Sequence, residues 1–342
     1  MHKFNINANL IEVIKNLYNR ATSAVLFNSK LGDWFKTTVG VRQGCLLSPI
    51  LFNLFLERIM TDVLENHVGT ISIGGRIITN LRFADDIDGL AGSEDELEEF
   101  TAKLENTAKA YGMEINAEKT KVMANRTFTN EILINGQKLE EVSTFKYLGA
   151  IISDEGSKPE ILARMAQTTA ALSKLKHIWL SKKLSLRSKI RLMRSLAMSV
   201  FLYGCEAWTL NADLQRRINA LEMRCFRKIL NISYTEHITN EAVRNKIIAV
   251  IGPYEDLLTT IKKKKLQWYG HVAISGGLSK TIMQGTVQGR RKRGRQKKRW
   301  EDNIKEWTGL SFINSQKAAQ DRDKWRDIVF SSGWCPNDPP TG

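Results

Sequence analysis

At Gly156 the apolar pattern of this chain changes its period, and that change limits the folds open to it. Before Gly156, hydrophobic residues come in short runs broken by turn residues. Ile71 to Ile78 around Gly74-Gly75 is one example, and such runs read as short strands between helices. After Gly156 they recur at helical spacing with short connections, which predicts antiparallel helices packed as a bundle. The expected class is α+β: an antiparallel sheet with packed helices over about 1–156, helices over about 157–240, and a mainly helical region after that.

The local expectations follow the same signals. Leu10 to Tyr18 carries apolar groups at helical spacing, giving a helix over about 9–19. Thr22–Asn28 and Asp33–Val39 read as a hairpin turning at Ser29-Lys30-Leu31-Gly32. Val41-Arg42-Gln43-Gly44 is a loop. Ser48-Pro49 opens a helix to about Leu64, with Ser as cap and Pro in the first turn. Ser93-Glu94-Asp95-Glu96 opens another helix, its acids matched to the macrodipole, that ends near Gly112. Strands are expected at about 121–124, 131–134 and 144–152. Helices follow at about 158–179, 185–204 and 211–231, with two more within 239–275. The stretch 276–296 reads as a loop, and 297–308 and 314–330 as amphipathic helices. The end, Pro336 to Gly342, is expected to be disordered.

With 42% hydrophobic residues in 342, the chain can bury a core, which excludes wholesale disorder. It has no apolar run long enough to cross a bilayer and no apolar leader after Met1-His2-Lys3. Cys45, Cys205, Cys225 and Cys335 lie far apart, so neither a zinc site nor a disulfide framework is supported. Reduced thiols in an intracellular protein, of nucleus or cytoplasm, are expected, with no membrane partner. The formal charge is +15, and residues 241–342 hold 20 basic against 10 acidic side chains. Two thirds of the excess thus sits in under a third of the chain, which suggests a nucleic acid or another anionic partner.

Phe83-Ala84-Asp85-Asp86 is the sharpest chemical feature, flanked by Leu81 before and Ile87 after. Adjacent carboxylates in an apolar strand pattern are costly to bury unless a cation is bound, and hard oxygen ligands suit Mg²⁺. Alone, the pair also reads as part of a turn, because Asp88-Gly89 is a hairpin dipeptide.

Order and spacing add to this. Gly40 to Pro49, reading GVRQGCLLSP, precedes Phe83-Ala84-Asp85-Asp86. Tyr111-Gly112-Met113-Glu114-Ile115-Asn116 with Lys119-Thr120 comes next, then Phe145-Lys146-Tyr147-Leu148-Gly149. The ordered set resembles the reverse transcriptases of non-LTR (LINE-type) retrotransposons, in the part after their first catalytic motif. The resemblance implies a partial polymerase palm at 1–156, a helical thumb at 157–240 and a basic nucleic-acid-binding region at 241–342. It implies Mg²⁺-dependent, RNA-directed DNA synthesis from deoxynucleoside triphosphates, with an RNA template and a DNA primer. Two ions are expected in an intact site. Asp85 would be the principal metal ligand with Asp86 beside it. Gln43 and Gly44 would face nucleotide and template, with Arg42 on a phosphate. Lys119 would protonate departing pyrophosphate or neutralise its charge, and Phe145, Tyr147, Leu148 and Gly149 would form the primer grip.

The family pattern also has an earlier catalytic Asp, which this sequence does not contain; the nearest, Asp33, lies in the expected hairpin. Severe loss of polymerisation by this chain alone is the expectation, since preorganised charge supplies most of the rate. An unpaired strand edge beside the Asp85 segment is expected too. A non-catalytic nucleic-acid-binding remnant is therefore the alternative.

Arg187, Arg191 and Arg194 share one helical face that could track phosphates, opposite an apolar stripe of Leu192, Leu196 and Val200. Trp179, Phe201 and Trp208 read as core. Lys262-Lys263-Lys264-Lys265 precedes Trp268 and Tyr269, and 289–300 holds eight basic residues in twelve. Those eight are Arg290, Arg291, Lys292, Arg293, Arg295, Lys297, Lys298 and Arg299. Basic groups interleaved with Trp268, Tyr269 and Trp300 suit single strands or structured RNA, and 290–299 also reads as a nuclear-import signal. His271, with no second ligand nearby, reads as a packed side chain.

Overall fold

A computed structural model of the protein describes residues 1–124, 131–286 and 297–332. They fall into two compact units. The first comprises residues 1–72, 77–120 and the described part of 128–139; the second comprises 73–76 and the described parts of 121–127 and 140–342. The fold is α+β. Its strands are two to four residues long, and among the described residues they form only two-stranded ladders. A single antiparallel sheet is thus not what such short strands build, and one ladder is parallel.

In the first unit, α1 (Ala8–Asn19) is capped by Asn7, whose side chain accepts from the Asn9 N–H. β1 (Thr22–Ser23) pairs with β4 (Phe35–Lys36), and β2 (Leu26–Phe27) with β3 (Lys30–Leu31). The turn lies at Asn28-Ser29, earlier than expected. Both have positive φ, 48° and 61°, the hand that matches strand twist in a two-residue turn. α2 (Ser48–Leu64) starts one residue before its proline. Ser48 is not its cap: the Ser48 hydroxyl donates backwards to the Arg42 carbonyl at 2.5 Å.

β5 (Ser72–Ile73) and β6 (Arg76–Ile77) turn at Gly74-Gly75, as the sequence predicts. β7 (Asn80–Phe83) and β8 (Asp86–Gly89) form the next hairpin. α3 (Glu94–Ala110) follows, with Ser93 accepting from the Glu96 N–H and three acids in the first turn. α2 and α3 bury Leu56, Ile59, Met60, Val63 and Phe100 against each other, with Ile87 of β8 packed on that cluster. No residue of α1 is fully buried, and Leu26, Phe27, Trp34 and Phe83 are each more than half exposed.

β9 (Lys121–Val122) pairs in parallel with β12 (Glu140–Glu141), and β10 (Leu133–Ile134) pairs with β11 (Gln137–Lys138). The expected strand at 144–152 is two strands, β13 (Thr144–Tyr147) and β14 (Ala150–Ser153). They turn at Leu148-Gly149, both with positive φ (47° and 81°).

Helices build the rest: α4 (Lys158–Lys174), α5 (Lys176–Leu180), α6 (Leu186–Met193), a π-helical turn at Arg194–Met198, α7 (Ser199–Phe201) and α8 (Ala212–Leu230). α9 (Asn240–Ile251) and α10 (Leu257–Ile274) follow, then α11 (Leu278–Gln284) inside the stretch expected to be a loop. The end holds three short helices where two were expected: α12 (Trp300–Thr308), α13 (Phe312–Gln320) and α14 (Arg322–Ser331). Gly309 in the left-handed conformation stops α12, and Asp321 caps α14.

Two cores meet along α10. Trp179, Phe201, Trp208 and Ile218 belong to one that reaches Ile261. Leu266, Tyr269, Ala273, Ile304 and Trp325 form the other. The buried stripe along α6, the π turn and α7 is Ile190, Met193, Ala197 and Phe201, whereas Leu196 is 45% exposed. The stripe expected through Leu192, Leu196 and Val200 is thus one residue out of phase with the packed face.

Candidate functional site

Asp85 and Asp86 stand at the tip of the β7–β8 hairpin. Phe83 pairs with Asp86, so Ala84-Asp85 is a two-residue turn. Ala84 takes a φ of 53°, a conformation that costs a non-glycine residue about 1–2 kcal/mol. Asp88-Gly89, which the sequence offered as a turn, lies inside β8. Both tip carboxylates are exposed, so the desolvation cost inferred from their apolar flanks does not arise. Among the described residues, no group of three His, Cys, Asp or Glu side chains is placed to hold a metal.

The hairpin is fastened to two helices along its length, while its tip carboxylates are exposed. Arg82 of β7 bridges to Glu57 of α2 at 2.8 Å. A Cβ on Gly89 would meet the Phe100 ring at 2.7 Å, so β8 lies flat against α3. Glu96 is buried and gathers the approach to the hairpin: it accepts from the Thr70 N–H at 3.0 Å, the Gly92 N–H at 2.8 Å and the Thr70 hydroxyl. Burial pushes its carboxyl up, but these hydrogen bonds outweigh that and hold it below the ordinary value. The sequence marked Glu96 only as a first-turn acid.

The other expected residues of the first unit are loop residues. Gly44 has a φ of 81°, and open space surrounds its Cα, which suits close backbone approach by a ligand. Gln43 beside it is exposed. Arg42 is turned back onto α1, donating to the Leu17 carbonyl at 3.0 Å with its guanidinium 5.7 Å from the Tyr18 ring centre. Lys119 is exposed in a turn where its backbone N–H donates to Asn116 Oδ1 at 3.1 Å. Tyr111 closes the end of α3, accepting from Arg58 Nε at 3.2 Å and donating to Asp62 at 2.6 Å.

Phe145 and Tyr147 are half-buried on β13, and Leu148 and Gly149 form its turn. Both turn carbonyls accept from side chains of the same unit. Tyr203 Oη donates to Leu148 O at 2.8 Å, and Arg164 Nη2 to Gly149 O at 2.5 Å. Arg164 Nε also donates to Glu160 at 2.6 Å, and Glu160 accepts the Ile151 N–H at 2.7 Å. The sequence hints at this only through the i, i+4 spacing of Glu160 and Arg164; nothing local pairs them with Tyr203.

The basic residues divide. Arg187 is exposed and reaches the Val250 carbonyl, Arg191 is exposed, and Arg194 lies 5.4 Å from the Tyr254 ring centre at the start of the π turn. Four successive lysines on a helix cannot share a face, since each turns ~100° from the last. Lys264 is exposed, Lys262 lies over Trp307, and Lys263 pairs with Glu255. Lys265 points inward, fully buried, and donates to Trp208 O at 2.7 Å and Asn303 Oδ1 at 3.2 Å. Burial, with Lys298 adding, pushes its pKa down to about 6. It cannot meet a phosphate.

Tyr269 is likewise core, its hydroxyl 2.8 Å from Ser315 Oγ, so it is no stacking platform. Trp300 donates to the Glu206 carbonyl, and Trp268 is 39% exposed. His271, expected to pack, is exposed at a groove of about 470 Å³ that Arg322, Arg326 and Phe330 also line. Lys297 donates to Asp154 O, Lys298 pairs with Glu306, and Arg299 with Glu301. Arg290, Arg291, Lys292, Arg293 and Arg295 lie outside the described residues.

Residues 1–152 match the reverse transcriptase (RNA-dependent DNA polymerase) family. An uncharacterized transposon-derived protein of Caenorhabditis elegans is 31% identical over 275 residues, 75% of this chain and 97% of that protein. The Pol polyprotein of retrotransposable element R2 from Popillia japonica is 22% identical, over 68% of this chain but 39% of its own length. The RNA-directed DNA polymerase ascribed to transposon X-element of Drosophila melanogaster is 24% identical, over 64% of this chain and 24% of its own length. The chain thus spans well under half of the two element polyproteins. On these matches, and on the ordered motifs that the structure displays, the chain belongs to the reverse transcriptases of non-LTR retrotransposons.

Proposed function

We propose that this chain supplies the later palm (1–156), the thumb (157–240) and a basic nucleic-acid-binding region (241–342) of an RNA-directed DNA polymerase. One observation carries the proposal: two adjacent carboxylates, exposed at the tip of a tight hairpin that is fastened to two helices, in a chain of this family. The oxygens of two exposed carboxylates fit a hard divalent cation. Asp85 and Asp86 would hold Mg²⁺, which would supply charge stabilisation to the attacking and leaving oxygens of nucleotidyl transfer. Gln43 and Gly44 offer an amide and an unobstructed backbone to the incoming deoxynucleoside triphosphate and the template. Arg42 reaches a phosphate by leaving the Leu17 carbonyl. Lys119 offers a cation to the departing pyrophosphate, and the hairpin of Phe145, Tyr147, Leu148 and Gly149 carries the DNA primer. Arg187, Arg191, Arg194, Lys262, Lys263, Lys264, Lys297, Lys298 and Arg299 face phosphates of RNA or DNA; Lys265 is withdrawn from that set.

Primer extension on an annealed RNA template with Mg²⁺, with Asp85→Ala as control, tests this. Extension abolished by the substitution supports a catalytic chain. Salt-sensitive binding of the primer–template without extension would overturn catalysis by residues 1–342 alone and leave a binding module.

A further inference from the structure

The turn of the β13–β14 hairpin is held by its backbone oxygens, and the holders form one connected set. Arg164 is 7% exposed and Glu160 is 5% exposed, both on α4. Their pair is 2.6 Å long, and each also bonds the hairpin backbone. Arg164 Nη2 donates to Gly149 O, and Glu160 accepts from the Ile151 N–H on β14. Tyr203 completes the set: its ring lies 4.5 Å from the Arg164 guanidinium, and its hydroxyl donates to Leu148 O. A two-residue turn with both carbonyls accepting from side chains, one of them a buried cation, is far more constrained than a surface hairpin needs to be. Charged hydrogen bonds hold a group more firmly than neutral ones. The Leu148 side chain meanwhile is 39% exposed.

We propose that Glu160, Arg164 and Tyr203 are positioning residues that fix the Leu148-Gly149 turn as a contact for the backbone of a primer strand near its 3′ end. This rests on the primer-grip role proposed above for the hairpin. Arg164 acts through Gly149 O and Tyr203 through Leu148 O, and neither touches the nucleic acid. Glu160 sets the direction of the Arg164 fork and ties α4 to the next strand, so turn and helix move as one piece.

The test compares binding of the full chain to a recessed-3′ primer–template and to a blunt duplex of the same sequence. Leu148→Asp puts a negative charge on the tip and probes the primer-grip role itself. Tyr203→Phe removes one hydroxyl and keeps the ring under Arg164, so folding is retained; Arg164→Lys keeps the charge but loses the fork. The expected result is that Leu148→Asp and Tyr203→Phe both lower the preference for the recessed end, Tyr203→Phe by about 3- to 10-fold as one hydrogen bond allows. Blunt-duplex affinity should stay near wild type, and Arg164→Lys, which gives up the charged fork, should fall at least as far as Tyr203→Phe. A drop with Leu148→Asp but none with Tyr203→Phe and Arg164→Lys would overturn the positioning role and leave the grip standing. Equal losses on both duplexes would mean a structural contact only. No effect from Leu148→Asp would refute the grip and the positioning role together.

Discussion

Lys265 Nζ lies 4.4 Å from the centre of the Trp300 ring and 5.4 Å from that of Trp307, fully enclosed between the two cores that α10 joins. Its neighbour Lys264 faces solvent. Substituting Lys264 by Glu should therefore weaken RNA binding and reduce the slope of log affinity against log salt by about one. Lys265→Met should change neither by more than about twofold, because the group it removes never reaches a phosphate. Titrations at several salt concentrations check both, and a larger loss from Lys265→Met would contradict the buried placement.

Two buried groups of opposite sign should shape the pH dependence of stability. Lys265 is held down to about 6 from 10.5, so above pH 6 the unfolded chain binds the extra proton and stability rises with pH toward 10.5. Glu222 is pushed up to about 7 from 4.5 by burial and by Asp256 nearby, while its Oε1 accepts the Leu257 N–H at 2.9 Å. Between 4.5 and 7 the folded form keeps the proton, so stability falls as pH rises. Each contribution is on the order of a few kcal/mol. Denaturant titrations from pH 4.5 to 9.5 should show the falling limb reduced in Glu222→Gln and the rising limb reduced in Lys265→Met, each relative to wild type.

Gly270 is where α10 admits Trp325. A Cβ there would meet the indole at 2.3 and 2.4 Å, and the Trp325 Nε1–H donates to Leu266 O at 2.9 Å. Gly270→Ala should destabilise the protein by about 1–3 kcal/mol, the usual cost of overpacking, despite the better helix propensity of alanine. A thermal midpoint at or above wild type would show that the indole moves aside freely.

Ala84 sits in the left-handed region between Phe83 and Asp85. Ala84→Gly should relieve that strain and raise stability by about 0.5–1 kcal/mol. Melting curves give the sign directly; a lower midpoint would mean that the turn does not hold this conformation in solution.

Much of this was legible in the sequence. Ser93 and the Gly74-Gly75 pair announced their helix start and turn, because caps and turns are decided by adjacent residues. The acid pair and the ordered motifs announced the family. Lys265 and Tyr269 were misread because a run of lysines and aromatics looks the same in sequence whether it radiates around a helix or lines one face. Their burial is set by Trp208, Asn303 and Ser315, up to 57 residues away. The turns at Asn28-Ser29, Ala84-Asp85 and Leu148-Gly149 were missed for a related reason. In the last two, Ala84 and Leu148 adopt left-handed geometry with side chains that rarely do so, and strand pairing imposes it.

An anchor that grips peptide oxygens is blind to the side chains it carries. Because Tyr203 and Arg164 hold Leu148 O and Gly149 O, the residue at position 148 can drift between related elements without losing its location. What it presents to a bound strand can then diversify at little structural cost, while Glu160, Arg164 and Tyr203 have far less freedom to change.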